Sequence, residues 1–180
     1  MSFNISKFAS EALKFGGARP TLFKVQLNQP LGGVTNGTNL NSLSSFLVQA
    51  TSIPASTMGR IEVPYFGRKI SVAGDRVFDV WNVNVLNDED FAVRKILEEW
   101  HQKINHRTEN LNTFNSSAPR NYKSDATVTQ YGKDGKEIRQ YKFVNMFPLE
   151  ISAIQLDWNA TDTIETFDVT FSYDWYEIIK

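Results

Sequence analysis

The sequence contains no cysteine and only two histidines in 180 residues. That excludes a disulfide framework and a thiolate metal site, and it suits a reducing compartment, which points to assembly in cytoplasm. His101 and His106 are five positions apart, which places them on different sides of a helix. They make a poor metal pair and read as solvated polar residues at a helix end. Long hydrophobic runs are also missing, so no window is apolar enough to span a bilayer. Met1 to Gly17 interleaves Phe3, Ile5, Phe8, Leu13 and Phe15 with Lys7, Glu11 and Lys14, and does not read as a signal peptide. The sequons at Asn4, Asn36, Asn115 and Asn159 therefore have no secretory context and read as chance matches.

Catalytic patterns are scarce as well. Gly16-Gly17 and Gly32-Gly33 lack the lysine and hydroxyl residues of a phosphate-cradling loop. No serine sits in a nucleophile elbow, and two histidines leave little scope for a triad. Asp157, Asn159 and Asp162 have some of the oxygen spacing of a calcium loop but not its glycine or its spaced glutamate, so they read as a turn. Asp88, Glu89 and Asp90 fit the electrostatics of a helix start better than an acid–base cluster. No catalytic, cofactor-binding or metal-binding residue is assigned.

The formal net charge is −1, which argues against a domain with a basic nucleic-acid footprint. Charge is unevenly placed. Residues 149–180 carry Glu150, Asp157, Asp162, Glu165, Asp168, Asp174 and Glu177 against Lys180 alone, so the C-terminal region is an acidic block.

What is present is mostly strand pattern. Thr21 to Leu27 alternates, with Phe23, Val25 and Leu27 on one face. Asn28 to Ser45 is rich in Asn, Gly, Ser and Thr and reads as an exposed polar loop, with a strand returning at Phe46 to Thr51 before Ile53-Pro54 interrupts it. Arg68 to Ala73 reads as a brief strand between turns at Gly67 and Gly74, and Val77 to Leu86 as a central strand with apolar groups on both faces. Val93, Ile96, Leu97, Trp100 and Ile104 follow helical spacing behind the acidic start, which predicts one packed helix over 88–104. Asp125 to Gly132 and Lys136 to Val144 flank Lys133-Asp134-Gly135 as a hairpin. Leu149 to Trp158 and Ile164 to Tyr176 read as a second strand pair. In the last strand Phe167, Val169, Phe171, Tyr173 and Trp175 share one face, while Thr166, Asp168, Thr170, Ser172 and Asp174 share the other. The aromatic set reads as a core face, with a stacking platform for sugars or bases as the minor alternative. The expected fold is mainly β: one domain over 1–180, an antiparallel β-sandwich or barrel with one packed α-helix and an N-terminal segment over 1–20.

Ser52-Ile-Pro-Ala to Gly59, followed by the run from Phe66-Gly-Arg-Lys-Ile-Ser-Val-Ala-Gly-Asp to Asn87-Asp-Glu, resembles the tail tube proteins of contractile-tailed phages. Ala18-Arg19-Pro20, the strand Lys123 to Tyr131, Gln155-Leu-Asp-Trp158 and Glu165-Thr-Phe-Asp-Val-Thr170 extend the resemblance in the same order over nearly the whole chain. The polar stretch Asn28 to Ser45 is longer and richer in Asn, Gly and Ser than that family's pattern.

The resemblance implies a non-enzymatic fold, similar to type VI secretion tubes, whose subunits form hexameric rings. The rings stack into an inner tail tube that conducts DNA. It also implies no cofactor, and partners that include further copies, the tail sheath protein, the tape measure protein and a baseplate or tube initiator. Double-stranded DNA would pass without specific binding, and the location would be the virion. Within that frame Thr166, Asp168, Thr170, Ser172 and Asp174 are expected to face the channel, because a lumen of acidic and hydroxyl groups repels phosphate. Gly32, Gly33, Asn36, Gly37 and Asn39 are expected in a mobile loop that orders between rings. Edge strands and polar loops, instead of a large apolar patch, are expected to mediate association. A tube-end or initiator protein and a non-enzymatic β-sandwich binding module, for example for carbohydrate, remain the alternatives; an enzyme is the more distant one.

Overall fold

The computed structural model describes residues 4–12, 16–30, 33, 39–114 and 118–180. The strands are β1 (Phe23–Leu27), β2 (Val48–Thr51), β3 (Ser56–Tyr65), β4 (Arg68–Phe78), β5 (Trp81–Leu86), β6 (Ser124–Tyr131), β7 (Glu137–Ile151), β8 (Thr166–Ser172) and β9 (Trp175–Ile178). Helical segments are α1 (Ile5–Lys7), which runs into a wide turn over Phe8–Ala12, then α2 (Leu40–Leu47), α3 (Ala92–Ile104) and α4 (Pro119–Tyr122). All strand pairings are antiparallel.

β7 organises the molecule because it serves two sheets. Its first half pairs with β6 and β9, and β1 lies outside β6. Its second half pairs with β8, which continues through β5 to β2. Register shifts in β7, with Asn145 at positive φ, bend the strand between the two halves. The apolar sides of both sheets meet in one core, where Trp81 stacks on Phe143 with ring centroids 4.1 Å apart. The Trp81 indole also donates to the Ser52 carbonyl at 3.1 Å, so this buried ring leaves no polar atom unpaired.

α3 buries Val93, Ile96, Leu97 and Trp100, the i, i+3, i+4, i+7 set that helical spacing predicts. It begins at Ala92, four residues later than expected. Phe91 sits in left-handed backbone at φ 53, and Asp88 turns back so that its Oδ1 accepts from the Ala92 amide at 2.9 Å. The acidic cluster thus precedes the helix and does not form its first turn. His101 is partly buried and bonded to the Pro148 carbonyl at 3.0 Å, which differs from the solvated position expected of it.

Other expectations are corrected. Part of the 28–45 stretch is replaced by α2, which also takes Phe46 and Leu47, so that the returning strand starts at Val48; the helix packs on the edge strand β1, where Ser44 Oγ accepts from the Leu27 amide at 3.0 Å and Asn41 Oδ1 from the Gln26 side chain at 3.0 Å. The helix covers that edge, a standard protection against unwanted strand pairing. Val77 to Leu86 is not one strand; it divides at Asp79-Val80, and Val77 belongs to an exposed element while Trp81, Val83 and Val85 are buried. Leu149 to Trp158 does not continue as a strand beyond Ile151, so residues 152–165 form a long connection to β8.

The largest surprise is β3–β4. The brief strand expected at Arg68 to Ala73 is one arm of a hairpin over 56–78, paired only with itself and exposed over nearly its whole length. Directly opposed residues share a face, so Ile61, Val63 and Tyr65 line up with Val72, Ile70 and Arg68, and Val77 extends the row. The reverse face carries Glu62 between Arg60 and Lys69, with Lys69 Nζ 2.6 Å from the carboxylate. A turn at Phe66-Gly67 closes it, both residues at positive φ, with Phe66 92% exposed.

Candidate functional site

Strands β5 and β8 build the surface singled out in sequence. Their register opposes Trp81 to Phe171, Val83 to Val169 and Val85 to Phe167 on the buried side. Strand alternation then turns the intervening residues outward, and Asn82 faces Thr170 while Asn84 faces Asp168. These pairs are hydrogen-bonded. Thr170 Oγ1 donates to Asn82 Oδ1 at 2.9 Å, and Asn84 Nδ2 donates to Asp168 Oδ1 at 2.8 Å. The Asp168 amide donates to Ser152 Oγ at 2.8 Å. Thr166, Asp168 and Thr170 therefore lie on one polar surface with two asparagines that sequence reading left unassigned. The alternation of Trp81-Asn-Val-Asn-Val was the signal that could have found them.

Ser172 closes that row at the end of β8, half-buried, opposite Phe147 of β7. Asp174 stands apart. The strand breaks after Ser172, and the Asp174 amide donates to the Val144 carbonyl. Its carboxylate is bound by Lys123 Nζ at 2.8 Å and by Asn145 Nδ2 at 2.9 Å. The same break shifts the phase of the chain, so Trp175 does not pack inward as expected; it is 41% exposed. Tyr176 takes the inward place, with its ring 5.5 Å from Phe78 and 6.3 Å from Tyr141. Among the described residues, Asp168 is thus the carboxylate of the set whose side-chain partner is a neutral amide and not a cation.

Of the loop residues, Gly32, Asn36 and Gly37 lie outside the described residues. Gly33 accepts from Lys103 Nζ at 2.6 Å, and the Asn39 side chain caps α2 by accepting from the Asn41 amide.

The premise behind expecting no apolar patch in association, that no apolar stripe is left over beyond the core and one helix, does not hold. The hairpin exposes Ile61, Val63, Tyr65, Phe66, Ile70, Val72 and Val77, and the 152–165 connection exposes Leu156, Trp158 and Ile164. Sequence reading missed these because it assigned every apolar alternation to a core. Among the described residues no group of three or more His, Cys, Asp or Glu is placed to hold a metal.

Both the sheet arrangement and the family resemblance can be set against known proteins. A match to the phage tail tube protein family spans residues 18–179. The chain belongs to the phage tail tube protein family. It is 35% identical to the tail tube protein gp19 of Enterobacteria phage T4 over 161 residues, 89% of this chain and 91% of that one. It is 24% identical over 127 residues to the tail tube protein of Serratia phage KSP90, covering 71% of this chain and 70% of that one. Among solved structures, a chain of the sheath–tube complex of the PVC extracellular contractile injection system, in its extended state, shares the fold at a TM-score of 0.60 and 15% identity, with 98% of each chain covered. A chain of the sheath/tube terminator of the same system gives 0.62 and 14%, covering 91% of this chain and 97% of that one. The chain is accordingly a structural tail component and not an enzyme, and the tail of the virion is where this family resides.

Proposed function

We propose that this tail tube protein assembles as hexameric rings that stack into the inner tube of a contractile tail, with the polar face of β5 and β8 turned to the channel and double-stranded DNA passing along it. The observation that carries this reading is the outward face of β5 and β8, where Asn82, Asn84, Thr166, Asp168 and Thr170 are interrupted only by half-buried Leu86 opposite Thr166, and where neither strand carries a lysine or arginine. Repetition around a ring multiplies the Asp168 carboxylate. A ring of negative charge in a narrow channel opposes phosphate adsorption over about 8 Å at physiological salt. Amide and hydroxyl groups already bonded to one another offer DNA few free donors, so the duplex slides. Ser172 and Asp174 extend the surface toward β9, Asp174 with its charge offset by Lys123.

The remaining partners are those that membership of the family implies: the tail sheath protein outside, the tape measure protein inside during assembly, and a baseplate or tube initiator at one end. Assembly takes place in the host cytoplasm, where a chain without cysteines needs no oxidative step. The stretch around Gly32, Gly33, Asn36, Gly37 and Asn39 contributes an additional contact between rings. Shortening it should lower tube stability, and tubes of unchanged yield and stability would remove that role.

The lumen assignment is tested by Asp168→Lys. The exposed position should tolerate lysine, while the assembled tube should retain DNA and eject it more slowly, with the defect relieved by added salt. Normal ejection together with failed sheath assembly would place this face on the outside of the tube.

A further inference from the structure

A cleft opens where the chain entering β1 passes the turn between β6 and β7. One wall is the 16–19 stretch, held by Gln130 Nε2, which donates to the Arg19 carbonyl at 3.4 Å. The other is the turn itself, closed by the Gly132 amide on the Lys136 carbonyl at 2.8 Å and the Gly135 amide on the Gly132 carbonyl at 3.0 Å. Between the walls the Tyr131 amide donates to the Leu22 carbonyl at 2.8 Å. The cleft encloses about 560 Å³, the size of a ligand pocket with room for a few side chains.

Its lining combines two chemistries. Leu22, Tyr131 and Ile138 give it apolar walls, and Ile138 is 48% exposed. Arg19, Lys133 and Lys136 supply cations against the carboxylate of Asp134. That carboxylate is already taken by Lys136, through its amide at 3.2 Å and its ammonium at 3.7 Å. Among the described residues neither Arg19 nor Lys133 has an acidic partner. Gly16 turns the chain at φ 77, and Lys133 Nζ lies 4.0 Å from where a Cβ on that glycine would sit, so the ammonium reaches across the cleft. In a chain of net charge −1 this is a local excess of positive charge beside apolar surface. Such a site complements an anion brought from outside.

We propose that this cleft is a docking site for an acidic peptide segment of a partner protein, one that carries an apolar side chain between its carboxylates. The Arg19 fork takes one carboxylate in two parallel hydrogen bonds, and Lys133 takes another as a point charge. The apolar side chain lies against Leu22, Tyr131 and Ile138. These walls decide for a peptide over a phosphate polymer. Nucleic-acid surfaces run cations along an extended groove, whereas the aliphatic Leu22 and Ile138 offer nothing to a phosphate. The β6–β7 turn belongs to the sheet made with β1 and β9 and not to the β5–β8 surface. The site therefore goes beyond the tube reading and stands whichever face lines the channel.

Fluorescence anisotropy on free subunits of the full chain tests it, with the labelled peptide Glu-Glu-Leu-Leu-Glu-Glu as probe. The same peptide with serine in place of leucine keeps the charge and removes the apolar contact, and tripolyphosphate supplies phosphate at comparable charge. The leucine peptide should bind roughly tenfold more tightly than the serine peptide. Arg19→Glu and Lys133→Glu should each weaken it by about tenfold or more; both positions are exposed, so the fold is retained. Ile138→Ser should cost the leucine peptide about fivefold and leave tripolyphosphate unaffected. Leucine and serine peptides that bind equally, or tripolyphosphate that binds as tightly as the leucine peptide, would make this a simple anion site and overturn the assignment. Association of free subunits in sedimentation that Lys133→Glu abolishes would give the cleft to a second copy and overturn it as well. Binding indifferent to Arg19→Glu and Lys133→Glu, or no binding of the leucine peptide, would remove the site altogether.

Discussion

Asp168 and Asp174 carry the same charge on the same stretch of sequence, but their surroundings separate them. Asp168 is exposed and bonded to a neutral amide, so Asp168→Asn should change stability by less than about 0.5 kcal/mol. Asp174→Asn leaves Lys123, whose side chain is only 17% exposed, without its carboxylate, and should cost about 1 kcal/mol. Urea unfolding of the two variants checks the contrast. Trp81→Ala should cost roughly 3–5 kcal/mol by the same assay, because the ring joins the two sheets across Phe143. Two groups make stability fall in alkali. Asp125 holds the Lys142 ammonium above its ordinary pKa, first through a hydrogen bond and then by charge, outweighing the opposing effect of burial, with Glu177 adding to the rise. Burial, with smaller help from Tyr176 and Asp79, likewise pushes the Tyr173 phenol up. Both protons are held more tightly in the folded state than in the unfolded chain. The stabilisation is therefore complete below about pH 10 and is lost as pH rises through the raised values. Asp125→Asn should flatten that decline in a series of denaturation midpoints; an unchanged slope would assign the decline to other groups. None of these pairings was legible in sequence. Period-two alternation put Asp168 and Asp174 on one face, and only the break after Ser172 sets them apart.

At the scale of elements, legibility followed burial. α3 was readable because its stripe is a regular set of core positions, and its start was misread because Phe91 takes a left-handed turn that no cap residue announces. The β6–β7 hairpin was readable from its Asp134-Gly135 turn, with Gly135 at positive φ. β3–β4 was not. Gly59 and Gly74 look like turn residues, yet they face each other across a bulge, where a Cβ on Gly74 would come within 3.1 Å of the Gly59 backbone. Its alternation serves no core inside the chain, so it offered no reason to expect ten-residue arms. The same exposure makes a prediction. Free subunits should be cut by trypsin at Arg68 or Lys69 at the hairpin tip, and assembled tubes should resist cutting there. Equal cleavage rates in both states would mean the hairpin stays uncovered in the tube.

For the whole molecule, the family was legible because the resemblance runs in order along nearly the full chain, and the match over 18–179 bears it out. The apolar surfaces were not, since a single sequence does not say which alternating rows are left for a neighbour. The molecule shows where they are: a shared strand bends two sheets around one core, leaving a polar face, a projecting hairpin and an exposed knob. The direct measurement of this account is a helical reconstruction by electron cryomicroscopy of baseplate-seeded tubes. It should show six subunits per ring, with Asn82, Asn84, Asp168 and Thr170 on the wall of a central channel. Tubes whose channel is lined by another surface, with Asp168 on the outer wall, would contradict it.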